Sequence, residues 1–384
     1  MRIAVIINTV TPYTRPLFSR LAERDECELL VVTETPAERD RRWLPETGLS
    51  FEHVRLDSWT LDLSRLAVGT GFKTRFDTYL YVTRRPLEPL RRFSPDVVVA
   101  AGGGTWSSPA NIAALAARRR RGWAFVPWWG SFSRAKPTLP RRIADPWVRT
   151  FFRSADALLV YGSRQARDVL EMGADPDRTV IAPLTAVAPD PPVLRQGTNV
   201  SGVTRYLFIG RFIERKGIDV LVDAFRRLDG GELWIAGEGP LDGLVASAAS
   251  ADPRIRLMGY ADGEGLADLY RQADVLVVPS LYEAWGLVVH EGLAWGLPVI
   301  VTDEVGAADD LIDHGVNGYV VPPGSAEALA AVMKAAAGWT TEQWTESGRR
   351  SSELLETCSI DRAVDAYIHG CRLGLAHRRG LRAD

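Results

Sequence analysis

Cysteine is scarce in this chain of 384 residues, with three in all: Cys27, Cys358 and Cys371. An odd number, far apart and without zinc-ligand spacing, argues against a disulfide framework, so a reducing, cytoplasmic compartment is the default. Histidine is nearly as thin, five residues with no triad spacing, and no metal is expected. No apolar run reaches the roughly 18 residues that crossing a bilayer requires. The opening RIAVIIN after Met1 is too short for a secretory segment and gives way to polar TVTPYT, so no signal peptide is read. Missing as well are a Walker A loop, a G-x-G-x-x-G turn after the first strand, and any repeat at a period of roughly 20 to 50 residues. Disulfide scaffolds, integral membrane helices, P-loops and solenoids are thereby set aside.

What is present is a globular balance, 46% apolar and 24% charged. The chain is too long for one ordinary core and suits two domains. Short apolar runs alternate with longer helical patterns throughout, the signature of βαβ units and parallel sheets. In the first half the expected strands are RIAVIIN, CELLVVT, DVVVAA, WAFVPW, ALLVYG and TVIAPL. In the second they are RYLFIG, ELWIAG, IRLMG, DVLVVPS, PVIVTD and GYVVPP. Between the halves, residues 187–204 are rich in Pro, Gly and polar side chains and read as a linker. The fold class expected is α/β, two Rossmann-like doubly wound parallel sheets facing across a cleft, with ligands at the carboxyl ends of the strands.

The stretch LFIGRFIERKGIDVLVDAF passes from a buried strand through Gly210 into a loop with Arg211, Arg215 and Lys216, and Gly217 then opens a helix. A glycine turn, fixed cations and free N–H groups at a helix N-terminus suit a diphosphate. Taken alone, the loop reads equally as a solvated turn with surface cations. Beyond the next strands, Gly237 and Gly239 permit a tight turn, and the backbone of Met258 and Tyr260 beside Gly259 could meet a nucleobase.

The segment VPSLYEAWGLVVHEGLAWGLPVIVTD places Glu283 in a strand-to-helix loop and Glu291 more than one turn into the following helix, which Gly296 closes. Carboxylates accept hydrogen bonds from vicinal hydroxyls, which suits Glu291 to a ribose and Glu283 to a sugar. Gly286 lets a ligand approach the backbone, and Ala284, Trp285, Leu287 and Val288 complete the donor-binding set at the helix start. The plain alternative is two ordinary helix carboxylates. A two-carboxylate hydrolase is a rival, but the neighbouring cations favour a leaving group that is itself a phosphate.

The G-R-x4-K-G loop, the E-x7-E pair and the later N-G-x-x-V-x-P segment, within residues 204 to about 335, resemble the C-terminal half of glycosyltransferase family 4, retaining enzymes of GT-B architecture. The resemblance implies metal-independent transfer of a sugar, with retention, from a UDP or GDP donor to an acceptor hydroxyl, without a cofactor. It makes Arg211, Lys216 and Glu283 catalytic, the first two holding the donor diphosphate and the third the transferred sugar, and it assigns the ribose to Glu291. It further implies an N-terminal acceptor-binding domain (1–196), a C-terminal nucleotide-sugar-binding domain (197–364) and a last helix (365–384) crossing back to the first domain. The products expected belong to glycan, glycolipid or secondary-metabolite biosynthesis. Other readings are a GT-B-type epimerase and a non-catalytic nucleotide-sugar-binding subunit.

The first half departs from the family pattern. The loop after the first strand, NTVTPYTRPLF, lacks the glycines many members carry, and VPWWGSFSR stands where many have a histidine. Acceptor-side candidates are Thr11, Tyr13, Gly103 in the GGG run and Trp129, with plain turn residues as the alternative for the first three. Between Arg65 and Ala155 there are 17 Lys or Arg against four acids, interleaved with Trp, Phe and Leu. Such a surface suits peripheral contact with an anionic membrane and a lipid-linked acceptor. A solvated face is the bland reading, and nucleic acid is not expected because no base-reading motif accompanies the charge.

Overall fold

The protein is described by a computed structural model that covers every residue except 36–47, 63–78, 102–107, 132–138, 188, 190, 191, 195–201 and 381–384, and every side chain except those and 60–62, 79–81 and 139–145. The chain divides into two compact units, one of residues 1–185 with 358–384 and one of residues 186–357. The second unit thus begins at Ala186, immediately before the segment read as a linker.

In the first unit the elements run β1 (Arg2–Ile7), α1 (Thr14–Ala22), β2 (Glu28–Thr33), β3 (Glu52–Arg55), β4 (Ser58–Asp62), β5 (Tyr79–Thr83), α2 (Glu88–Phe93), β6 (Val97–Ala100), α3 (Pro109–Arg121), β7 (Ala124–Trp129), α4 (Leu139–Arg153), β8 (Leu158–Val160), α5 (Ser163–Glu171) and β9 (Thr179–Ile181). Seven strands form a parallel sheet in the order β3-β2-β1-β6-β7-β8-β9, and β4 pairs antiparallel with β5. Helices cover both sheet faces, so β1, β6 and β7 are apolar along nearly their whole length, as strands buried on two sides must be. All six apolar runs read in the first half are strands. The additional strands are β3, β4 and β5: EHVR is a half-exposed edge strand without an apolar run, and the β4–β5 ribbon lies outside the main sheet although YLYV in β5 is itself apolar.

In the second unit follow β10 (Arg205–Ile209), α6 (Ile218–Phe225), β11 (Glu232–Ala236), α7 (Asp242–Ala251), β12 (Ile255–Gly259), α8 (Gly263–Gln272), β13 (Val275–Val278), α9 (Leu287–Ala294), β14 (Val299–Thr302), α10 (Ala308–Leu311), β15 (Gly318–Val321), α11 (Ala326–Ala337) and α12 (Thr341–Thr357). Its six strands, all anticipated, are parallel in the order β12-β11-β10-β13-β14-β15. The order reverses between β10 and β13. At such a switch point neighbouring loops turn to opposite faces and leave a crevice at the strand ends.

The last helix, α13 (Ile360–Arg379), belongs to the first unit. Ser359 caps it by accepting from the Arg362 N–H at 3.4 Å. Val364, Tyr367, Ile368 and Cys371 are buried in the same core as β1, β6 and β7. Tyr367 meets Trp128 edge to face at 5.5 Å. A Cβ at Gly370 would lie 2.3 Å from Leu159 Cδ2 and one at Gly374 2.7 Å from Val126 Cγ2, so these two glycines set how closely the helix lies on the sheet. No helix among the described residues is long and apolar enough to cross a membrane.

Candidate functional site

The loop leaving β10 is built around Gly210 and Arg211, makes one 3-10 turn at Glu214–Lys216, and enters α6 through Gly217. Gly217 has φ +65°, and a Cβ there would lie 2.2 Å from the Pro279 carbonyl oxygen, so the turn can press against the end of β13 only with glycine at this position. Two further bonds lace the loops together. The Leu281 N–H donates to the Arg215 carbonyl at 2.8 Å, and Arg215 Nη1 donates to the Tyr282 carbonyl at 3.0 Å.

These contacts bring the cations of one loop to the carboxylate of the other. Lys216 Nζ forms an ion pair with Glu283 Oε2, and Arg215 Nη1 lies 3.4 Å from the same oxygen. The side chains of Lys216, Glu283 and Arg215 are 15%, 16% and 26% exposed, so the cluster is sheltered yet reachable. Glu283 is held by backbone bonds to the loop after β14: its N–H donates to the Glu304 carbonyl at 2.9 Å, and its carbonyl accepts from Gly306 at 2.9 Å. Trp285, buried at 3%, extends this ladder through its carbonyl, which accepts from Ala307 at 2.8 Å. Gly286, φ +98°, would place a Cβ 2.8 Å from Val305 Cγ1. Ala284, Leu287 and Val288 are half-buried around it.

Glu291 sits on α9, whose residues from Val289 to Ala294 are all buried. Its Oε2 accepts from the Tyr270 hydroxyl at 2.5 Å. The neighbouring His290 is buried with no partner for Nδ1, and desolvation brings its pKa down to about 4, so the ring is neutral at physiological pH. The loops after β10, β11 and β12 are joined in turn: Gly210 N–H to the Ala236 carbonyl at 3.1 Å, then Gly237 N–H to the Gly259 carbonyl at 2.8 Å. Met258 and Tyr260, on the edge strand β12 and just beyond it, are 37% and 45% exposed. Among the described residues no three His, Cys, Asp or Glu side chains gather as a metal set would.

Residues 8–185 match the family described as Glycosyl transferase 4-like domain, and residues 204–337 match Glycosyl transferases group 1. The chain belongs to the group 1, family-4-like glycosyltransferases. The lipopolysaccharide core biosynthesis glycosyltransferase LpsD of Rhizobium meliloti is 27% identical over 84% of this glycosyltransferase and 88% of its own length. An uncharacterised glycosyltransferase of Methanocaldococcus jannaschii is 35% identical over 32% of this chain, which spans only 33% of that relative. The solved structure of HepE from Anabaena in complex with UDP superposes with a TM-score of 0.70 over 96% of this chain and 98% of that one, at 14% identity. That likeness is one of fold, and the fold is GT-B.

In the first unit of the glycosyltransferase the acceptor-side candidates Thr11 and Tyr13 follow β1 and Trp129 ends β7, at the carboxyl edge of the parallel sheet. Thr11 and Thr14 bond to each other across the turn that leads into α1, with Thr11 N–H donating to Thr14 Oγ1 at 2.9 Å and Thr14 N–H to Thr11 Oγ1 at 3.1 Å. Tyr13 is half-buried beside them, at the N-cap of α1. Trp129 is 7% exposed, its ring packed edge to face on Phe152 at 5.2 Å. Gly103 lies outside the described residues.

The structure singles out one residue that the sequence offers without a separate role, Arg215, and two that the sequence reading does not name, Tyr270 and Glu34. Arg215 was one of three cations in its loop, and only its contacts across to Tyr282 and Glu283 set it apart. Tyr270 reads from sequence as a core residue of α8. Glu34 follows the apolar run of β2, 1% exposed, with Oε1 accepting from Ser108 at 2.8 Å and Oε2 without a partner. Burial lifts its pKa to about 7. Its signal was an acid placed directly after an all-apolar strand.

Proposed function

We propose that the chain is a retaining glycosyltransferase that moves a hexose from a nucleoside-diphosphate donor to an acceptor hydroxyl without a metal. The observation that carries this reading is the Lys216–Glu283 ion pair, with Arg215 on the same oxygen, at the switch point of the second sheet. A lysine ammonium has three donors, and one of them spent on Glu283 fixes the direction of the other two. Together with Arg211 and the N-terminus of α6, they would meet the donor diphosphate as its leaving charge grows, where a preorganised donor lowers the barrier most. Glu283 then contacts the sugar, Glu291 the ribose hydroxyls, and the backbone at Met258 and Tyr260 the base. Neighbours of this fold bind such ligands: HepE is described in complex with UDP and with UDP-glucose.

The acceptor falls to the first unit, residues 1–185 with α13. A lipid-linked glycan or glycolipid is the class favoured, by relatives described as making lipopolysaccharide core and by a phosphatidyl-myo-inositol mannosyltransferase of Mycobacterium leprae, 36% identical over 34% of this chain. The β4–β5 ribbon supports an approach to membranes. Trp59 and Val82 are register partners, 72% and 37% exposed, and Arg84, Arg85, Arg91 and Arg92 are exposed just beyond. An apolar pair flanked by cations suits an anionic interface.

The test is mass spectrometry of products from a panel of UDP- and GDP-sugars with lipid-linked and small acceptors, with anomeric configuration read by NMR. Transfer with retention in the presence of a chelator is expected. Inversion, or no transfer and no donor hydrolysis across the panel, would overturn the reading.

A further inference from the structure

Glu291 is 6% exposed, so bulk water cannot orient its carboxylate, and protein donors must. One comes from α8. The Tyr270 hydroxyl, on a side chain 1% exposed, donates to Oε2 at 2.5 Å, the length of a charge-assisted bond. Tyr270 is itself clamped. Its ring stacks on Trp295 at the end of α9, with centroids 6.1 Å apart and planes 8° off parallel. The Arg271 guanidinium lies 5.2 Å from the centre of the Trp295 ring and is held by Glu264 and Asp268, each at 2.6 Å. The end of α8 is therefore fastened to the end of α9 by a stack of three side chains, and the phenol has little freedom to leave the carboxylate.

From this we infer that Tyr270 is a positioning residue for nucleotide recognition: it fixes the Glu291 carboxylate in the orientation that grips the two ribose hydroxyls. The inference rests on the assignment of the ribose to Glu291. Two vicinal hydroxyls need a carboxylate presented edge-on, and a carboxylate pinned at one oxygen cannot rotate to satisfy one hydroxyl at the expense of the other. Without the phenol, the buried carboxylate would turn toward whichever donor remains, and the ribose would lose its partner while base and diphosphate contacts persist.

The test is calorimetric titration of the full chain with UDP, GDP and ADP, and with the 2′,3′-dideoxy form of whichever binds most tightly. The ratio of the two dissociation constants measures ribose recognition alone. Wild type is expected to favour the ribonucleotide by about a hundredfold, Glu291→Gln to lose most of that preference, and Tyr270→Phe to lose about tenfold of it, the scale of a hydrogen bond to a charged group. Affinity for the dideoxy nucleotide should stay within about twofold in both variants. The double variant should be no worse than Glu291→Gln, because the phenol acts only through the carboxylate.

If Tyr270→Phe keeps the full preference while Glu291→Gln loses it, the positioning role is wrong and the ribose assignment stands. If Glu291→Gln keeps the preference, or no nucleotide binds, the assignment fails and the inference fails with it. A Tyr270→Phe protein that binds ribo and dideoxy forms equally weakly has lost structure rather than positioning, which also overturns the inference.

Discussion

Lys216 and Glu283 are 67 positions apart in the chain and share one ion pair, nitrogen on Oε2, at side-chain exposures of 15% and 16%. Its two members come from different loops, so the pair exists only where β10 and β13 lie side by side. Lys216→Ala is expected to lower turnover about a hundredfold, as removal of one preorganised donor does, with donor KM much less affected. Glu283→Ala should leave the ammonium undirected, and the double variant should cost less than the sum of the singles. Additive losses in steady-state kinetics would show the two acting independently.

Gly217→Ala should destabilise the second unit. A side chain at φ +65° is strained, and its Cβ would sit 2.2 Å from the Pro279 oxygen, with backbone on the other side that cannot swing away. The expected loss is about 2 kcal/mol or more by urea titration, together with loss of transfer.

Glu34 makes the first unit sensitive to pH in an unusual direction. Its folded pKa of about 7 lies above the ordinary 4.5, so its contribution is fully present below pH 4.5 and is lost as pH rises through 7. Glu34→Gln removes the titration and keeps an oxygen for Ser108. Relative to wild type, the variant should gain stability as pH rises from 5 to 8, by up to about 3 kcal/mol. Parallel melting curves across that range would show that the carboxyl is not held neutral.

His290 acts oppositely. Its folded pKa of about 4 lies below the ordinary 6.5, so stability is complete above pH 6.5 and drains as pH falls toward 4. In His290→Gln the melting temperature of the second unit should fall less steeply over that interval, a difference of up to about 3 kcal/mol at its acid end. Calorimetric scans at pH 7, 6, 5 and 4 measure it.

Trp59→Ser with Arg84→Glu and Arg85→Glu should abolish sedimentation with phosphatidylglycerol vesicles at low salt while leaving transfer to a water-soluble acceptor unchanged. Wild-type protein that stays in the supernatant would remove the membrane from the account.

Much of this architecture could be read in advance because buried parallel strands are short runs of uniform apolar residues, which stand out even without a partner sequence. RYLFIG and DVLVVPS are examples. EHVR could not be read that way, since an edge strand needs no apolar face of its own. The cations and carboxylates of the donor loops were visible as types at fixed spacing. Their pairing was not, because what selects Arg215 is a carbonyl at Tyr282 that sequence places far away. Tyr270 illustrates the same limit: a tyrosine in an amphipathic helix reads as packing, and its hydroxyl acquires meaning only once α8 and α9 lie together.

The place of α13 has a consequence for biosynthesis. Its side chains Val364, Tyr367, Ile368 and Cys371 fill a core whose other walls are made before residue 185. On the ribosome, that core waits unfinished while the whole of residues 186–357 emerges with everything it requires to collapse. The half made first thus receives the last wall of its core only when the C-terminal helix has been made.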